Sequence, residues 1–140
     1  LAVGFGFGIS SPHEIDTVNI LKASLLAMRR AYLDMAERFP EAIASLEIAV
    51  VDGNKLPDLP VRAAAVVKAD SKYPCVMAAS ILAKTARDRM MEVWDAIYPE
   101  YGYAGHRGYP TKAHCLTCAS LGPSPIQRLT FNYPGKAPPA

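Results

Sequence analysis

Two stretches decide the fold: Leu46–Asn54, LEIAVVDGN, and Val61–Asp70, VRAAAVVKAD. Each is a short apolar run rich in β-forming residues, and each closes on an aspartate where turn residues begin: Asp52 before Gly53-Asn54, and Asp70 after Lys68-Ala69. Short apolar runs bounded by turn signals read as strands, here Leu46 to Val51 and Val61 to Val67. Pro57 and Pro60 make the intervening segment a loop, so the two strands need not form a tight hairpin. Where a strand stops and the chain turns, side chains come to one edge of a sheet, and the two carboxylates can meet there. Converging carboxylates suit hard divalent cations, and Mg²⁺ or Mn²⁺ held in such a place activates a water and stabilises the leaving oxygen of a phosphodiester. Aspartate also favours strand ends and turns for local reasons, so position alone does not make Asp52 and Asp70 metal ligands.

Upstream, Leu1 to Ile9 alternates Val3, Phe5 and Phe7 with Ala2, Gly4, Gly6 and Gly8. That period predicts a strand whose glycine face lies close to a neighbour. Ser11-Pro12-His13-Glu14 has the capping-box pattern, with proline at the first helical position. A helix is expected from there to just before Pro40, with Val18, Leu21, Leu25, Met28, Tyr32 and Met35 as its buried stripe. Downstream, Pro74 to about Tyr98 reads as a long helix with Met77, Ile81, Thr85 and Trp94 available for a buried face, expected to be a central helix packed on the sheet. From Pro99 the chain turns rich in glycine and tyrosine, and Tyr101 to Thr111 is expected to be a loop that presents side chains. A short helix from about Lys112 to Leu121 follows, then Gly122-Pro123-Ser124-Pro125 breaks it, and Pro134 to Pro139 reads as a frayed tail.

Ser80 and Lys84 lie one helical turn apart, so a hydroxyl and an ammonium share a face and can clamp one phosphate. A surface lysine beside a small packing residue looks the same in sequence. His106, Arg107 and Tyr109 sit in the glycine-rich loop, where the first two can reach phosphate and the tyrosine ring can stack on a sugar or base. Cys115 and Cys118 form a Cys-x-x-Cys pair beside His114. A zinc site would need a fourth ligand, for which His106 and Cys75 are the candidates, and a single pair inside a helix is more often packing.

A chain of 140 residues has the length of one domain, and with 51% hydrophobic residues it can bury a core. A net charge of +2 tolerates a polyanionic partner without demanding one. No apolar run approaches the roughly 18 residues of a membrane span, and three cysteines are too sparse for a disulfide framework, which together point to a cytoplasmic protein; a monomer is expected, although neither feature decides it. The start at Leu1, inside an apolar glycine-rich run without an initiator methionine, leads to the expectation that further chain precedes it.

Val51-Asp52-Gly53-Asn54, Lys68-Ala69-Asp70-Ser71, Ala78 to Lys84 with Arg87-Asp88, Tyr101-Gly102-Tyr103, His106-Arg107-Gly108-Tyr109 with Thr111 and His114, and Leu121 to Pro125 together resemble bacterial ribonuclease HII in order and spacing. Ser11 to Asp16, Asn19-Ile20 and Ala27-Met28 extend the resemblance to residues 3 to 131. The resemblance implies an α/β ribonuclease H-like fold, a mixed sheet flanked by helices with its N-terminal strands missing here. It implies one catalytic domain over residues 1–131 and a flexible tail over 132–140. The implied activity is endonucleolytic cleavage on the 5′ side of a ribonucleotide in RNA–DNA hybrid or duplex DNA, leaving 5′-phosphate and 3′-hydroxyl ends with Mn²⁺ or Mg²⁺ as cofactor. Asp52 and Asp70 fall on two of that family's four metal-binding carboxylates. The other two belong to an Asp-Glu pair opening a Gly-Arg-Gly motif, which no segment here matches, so this chain alone is expected to be inactive. Tyr109 falls on the tyrosine that stacks on deoxyribose, Ser80 and Lys84 on phosphate-handling positions, and Asp88 on an aspartate of structural role. Ala69 departs from the family's usual glycine, Arg107 from lysine, and Gln127 to Phe131 from a more basic pattern, which puts a phosphate contact of Arg128 in doubt. The alternatives from other classes are a chain that binds hybrid nucleic acid without cutting it, and a small zinc module built on Cys115 and Cys118.

Overall fold

The valines and alanines of the two deciding stretches form strands β1 (Ala49–Asp52) and β2 (Ala63–Val66), seen in a computed structural model that describes residues 2–130. They pair in parallel, Ala49 opposite Ala63 and Asp52 opposite Val66. Both strands are shorter than their apolar runs: Leu46, Glu47 and Ile48 precede β1, and Val67 turns away after β2. The connection, residues 53 to 62, contains no helix and returns the chain to the edge where β1 began, with Pro57 buried and Pro60 exposed. The α/β class is as expected, with six α-helices among the described residues. The chain divides between Ala83 and Lys84 into two compact units. The expected tail, 132–140, lies outside the described residues, as does Phe131. Among the described residues no helix is long and apolar enough to cross a membrane.

In the first unit the capping box forms as read: Ser11 Oγ accepts from Glu14 N at 3.2 Å, and Ser11 N donates to Glu14 Oε2 at 2.8 Å. The helix it starts is not continuous. It is α1 (Pro12–Val18), and after Asn19 a second helix, α2 (Ile20–Arg38), begins. Asn19 has φ 75°, and its side chain accepts from Lys22 N at 3.1 Å, so one asparagine both ends the first helix and caps the next. A third, α3 (Pro40–Ala44), opens on its own proline.

The strand expected at Leu1–Ile9 does not form among its described residues, 2–9. Its glycine face does meet a neighbour, but that neighbour is the backbone of α2: a Cβ added to Gly8 would stand 1.8 Å from Ala27 O, and one added to Gly6 would stand 2.1 Å from Ala31 O. The helix also takes over the hydrogen bonds a partner strand would supply. Phe7 N donates to Asp34 Oδ2 at 2.9 Å, and Arg30 Nη1 donates to Ile9 O at 2.7 Å. Ser10 Oγ donates back to Ala23 O at 2.8 Å, and Ala23 is 1% exposed. Ala23 is the buried residue of α2, Ala27 and Ala31, whose backbone the glycines approach, are half-buried, and of the expected stripe Leu25, Tyr32 and Met35 are half-buried whereas Leu21 and Met28 are exposed. Arg30 also binds Glu14 bidentately, at 2.6 and 3.0 Å, tying α2 to α1.

Helix α4 (Pro74–Ile97) has the expected extent but only part of the expected buried face, since Trp94 packs against a core while Met77 is 49% and Ile81 60% exposed. Its buried residue is Met91. In the second unit Met91 packs with Tyr101, Tyr103 and Cys118, and Trp94, Tyr98 and Ile126 close around them. The expected Tyr101–Thr111 loop contains a 3-10 turn ending at Tyr101 and the short helix α5 (Tyr103–His106), whose Ala104 N is capped by Asp95 Oδ1 at 3.0 Å. Helix α6 (Lys112–Leu121) keeps its expected bounds, starts on Thr111, whose hydroxyl accepts from His114 N at 3.3 Å, and stops at Gly122 with φ 82°.

Gly8→Ala is expected to push the N-terminal segment off α2 and cost about 1–3 kcal/mol, the usual range for overpacking, whereas Gly105→Ala meets nothing within 4 Å. Thermal melting followed by circular dichroism should show a lower midpoint for the first variant alone. The Arg30 and Ser11 hydrogen bonds hold the Glu14 carboxyl down to about 2, from 4.5. The sign follows: this contribution is whole above about pH 4.5 and is lost as the pH falls toward 2. Urea midpoints measured across that window should fall with acid in the wild-type chain and fall less in Glu14→Gln.

Candidate functional site

Parallel pairing places the C-terminal ends of β1 and β2 at the same edge, where ligands of parallel sheets characteristically bind. Asp52 is the last residue of β1 and is exposed there. Its Oδ1 reaches past the end of β2 and accepts from Ala69 N at 2.8 Å. Ala69 opens the 3-10 turn Ala69–Ser71, whose middle residue is Asp70, and the Asp70 Oδ1 accepts from Ser71 N at 2.9 Å. The sheet edge thus brings Asp52 onto the residue next to Asp70.

Lys68 at φ 55° makes the bend, and Ser71 Oγ holds it by donating to Lys68 O at 2.8 Å. Ala69 is fully buried and is not among the residues with positive φ, which explains why alanine serves where glycine is usual. Each carboxylate has about four acceptor positions, so one backbone N–H apiece leaves capacity for a cation. The donor chemistry, exposed carboxylate oxygens, fits a hard divalent ion. Its number is small: among the described residues no group of three or more His, Cys, Asp or Glu is placed to hold a metal.

The other candidates lie along α4 and in the second unit. Ser80 and Lys84 are both exposed on α4, Ser80 before the division between the units and Lys84 just after it. Tyr109 is 67% exposed. Its neighbours in sequence are engaged within the unit. Arg107 Nη1 donates to Asp88 O at 2.7 Å and to Glu92 Oε1 at 3.0 Å, and Arg87 Nη2 donates to Arg107 O at 3.1 Å. His106 Nδ1 accepts from Gly108 N at 3.1 Å, and its Nε2 lies 2.7 Å from Tyr101 O. Asp88 accepts from Arg107 through its backbone carbonyl, a contact that does not involve the carboxylate the resemblance singles out.

Sequence reading passed over the buried polar lattice beneath this loop. Tyr103 and Ser124 share a hydrogen bond between their hydroxyls, Tyr101 OH donates to Gly122 O at 3.1 Å, and His114 Nε2 lies 3.1 Å from Gln127 Oε1. The His114 and His106 rings stand 4.2 Å apart. Burial first, and the His106 imidazole second, push His114 below its ordinary value. Cys118 Sγ, 3.7 Å from His114 Nε2, is buried, and burial raises its thiol. Cys115 is buried as well, so the Cys-x-x-Cys pair is part of the packing. The available signal was Gly102 and Gly108, both at positive φ, which mark a backbone that something rigid must support. An open groove of about 490 Å³ in this unit is walled by Tyr101, His106, Thr111 and Thr117. Tyr109 is not in its lining, so the groove does not define the candidate interface.

Comparison with known proteins agrees with the order of these motifs. The family model described as Ribonuclease HII matches residues 5–133. The Ribonuclease HII of Polynucleobacter necessarius subsp. necessarius is 46% identical over 136 residues, which is 97% of this chain and 68% of that protein. The Ribonuclease HII of Polynucleobacter asymbioticus is 45% identical over 130 residues, 93% of this chain and 65% of that protein. The chain spans about two-thirds of the length of these curated relatives. With a family match over nearly all its residues and a parallel sheet edge carrying Asp52 and Asp70, the chain belongs to the ribonuclease HII family.

Proposed function

We propose that the protein is an endonuclease that hydrolyses the RNA strand of RNA–DNA hybrids, or cuts at ribonucleotides embedded in duplex DNA, leaving 5′-phosphate and 3′-hydroxyl ends. The observation that carries this reading is the shared edge on which Asp52 accepts from Ala69 N, beside Asp70. Asp52 and Asp70 are the candidate ligands for Mn²⁺ or Mg²⁺. Divalent ions bound there supply an activated water and neutralise charge on the leaving oxygen of the phosphodiester. The protein's own part is to hold the carboxylates still, which the hydrogen bonds to Ala69 N and Ser71 N do.

Tyr109 is the candidate stacking surface for a deoxyribose, since its ring is exposed while the loop around it is fixed. Ser80 and Lys84 are the candidate phosphate contacts, and Arg107, anchored on α4 by Asp88 and Glu92, adds a positive charge next to Tyr109 in the chain. Free thiols at Cys75, Cys115 and Cys118 suit a reducing compartment, the cytoplasm, for a monomeric enzyme. A second reading applies to the 140-residue chain by itself: it binds such duplexes without cutting them. Two carboxylates favour it, because they leave much of the ions' charge uncompensated.

The deciding experiment incubates the chain with a DNA duplex carrying one ribonucleotide, in Mn²⁺ and then in Mg²⁺. Binding without a nick is expected, and a metal-dependent nick on the 5′ side would remove the second reading. Asp52→Asn keeps an acceptor for Ala69 N, so folding should survive. Its Mn²⁺ affinity by calorimetry should drop by at least roughly tenfold, since losing even an outer-shell partner costs about 10–100-fold. Unchanged affinity would take Asp52 out of the metal site. Lys84→Ala should flatten the dependence of log K on log salt by about 1, the change expected for one phosphate contact.

A further inference from the structure

The sequence places His106 among groups that reach phosphate, but its imidazole is already committed on both sides. Nδ1 accepts from Gly108 N at 3.1 Å, which requires a bare lone pair on that nitrogen. The proton therefore sits on Nε2, which donates to Tyr101 O at 2.7 Å. The ring is also wedged, with the His114 ring at 4.2 Å and the Tyr103 ring at 5.5 Å. Tyr103 is itself 2% exposed and hydrogen bonded to Ser124, so the wedge has a rigid base.

This support meets the backbone where it is most demanding. Arg107 has φ 52° and Gly108 φ 79°, two consecutive left-handed residues directly before Tyr109. Such a residue other than glycine is held only when its surroundings over-determine it. From α4, Arg87 grips Arg107 O and Arg107 grips Asp88 O. From the other side, Gly108 N donates to His106 Nδ1. A Cβ on Gly108 would stand 3.1 Å from Arg87 Nη2, so the two grips close on one peptide.

We propose that His106 is a positioning residue, a neutral imidazole latch that fixes the Arg107-Gly108 turn through Gly108 N and so sets the exposed Tyr109 ring for nucleic acid. The latch itself is a statement about this chain's backbone, while its bearing on nucleic acid rests on the proposed stacking role of Tyr109.

Two near-isosteric substitutions separate the two sides of the ring. His106→Asn keeps an acceptor near Nδ1 and loses the donor to Tyr101 O, whereas His106→Gln keeps a donor near Nε2 and loses the acceptor for Gly108 N. In the full 140-residue chain, amide exchange at Gly108 is expected to stay slow in the Asn variant and to speed up roughly tenfold in the Gln variant, the loss that removal of one hydrogen bond brings. Anisotropy of a labelled DNA duplex with one ribonucleotide should follow the same order, with His106→Gln weakened about as much as Tyr109→Ala. Equal Gly108 exchange in the Gln variant and wild type would overturn the latch. If exchange responds but Tyr109→Ala binds like wild type, the latch stands and the stacking reading fails. Should both variants unfold, ring nitrogen shifts of the wild-type chain decide: an Nε2–H tautomer at His106 supports the latch, and an Nδ1–H tautomer ends it.

Discussion

Parallel pairing of β1 with β2 is the constraint on which the candidate metal site depends. Both stretches end in aspartate, but two strand ends share an edge only if the strands run the same way; an antiparallel hairpin would send Asp52 and Asp70 to opposite edges. The proline-bearing connection, residues 53 to 62, makes the parallel return possible without a helix. Once the edge exists, Asp52 finishes the arrangement, because its Oδ1 satisfies a backbone N–H beyond β2 that the two-stranded ladder does not reach. The carboxylate is thereby a structural cap and a candidate ligand at once.

The first unit shows how backbone polarity is satisfied when a segment lies against a helix. Gly6 and Gly8 let the N-terminal segment lie directly on α2, and approach that close excludes any side chain. Its peptide groups then turn to the side chains of Asp34 and Arg30, which answer its N–H and C=O. Alanines face the segment on α2 for the same reason: the partner is backbone, so Ala23, Ala27 and Ala31 stand where a large residue would have no space, and Leu21 and Met28 are exposed.

In the second unit a different balance holds. Aromatic burial around Tyr101 and Tyr103 supplies rigidity, and most polar groups of that core find partners: the Tyr103 and Ser124 hydroxyls pair, Tyr101 OH donates to Gly122 O, and His114 Nε2 lies against Gln127 Oε1, while His114 Nδ1 has no hydrogen-bond partner among the described residues. Two left-handed residues can then persist at the loop's tip, with Tyr109 exposed beside them.

Much of this was legible in sequence. The capping box at Ser11, the extents of α4 and α6, the two apolar runs and their terminal aspartates, and the family motifs all depend on local pattern, which a chain carries wherever it packs. The break at Asn19 was less legible because asparagine suits a helix cap and a left-handed turn equally, and only the packing of α1 and α2 selects between extending one helix and starting another. The Leu1–Ile9 segment alternates like a strand, yet alternation reports only that one face is small, not whether the close neighbour is a strand or a helix. His106 reads as a phosphate-reaching loop residue because sequence lists its donors and acceptors, whereas its partners, Gly108 N and Tyr101 O, are fixed by how the loop folds on itself. The sequence by itself determined the family and which residues are candidates for its chemistry; the tertiary structure alone decided which of them are committed inward and which face solvent, because hydrogen-bond partners and close packing are properties of positions in space.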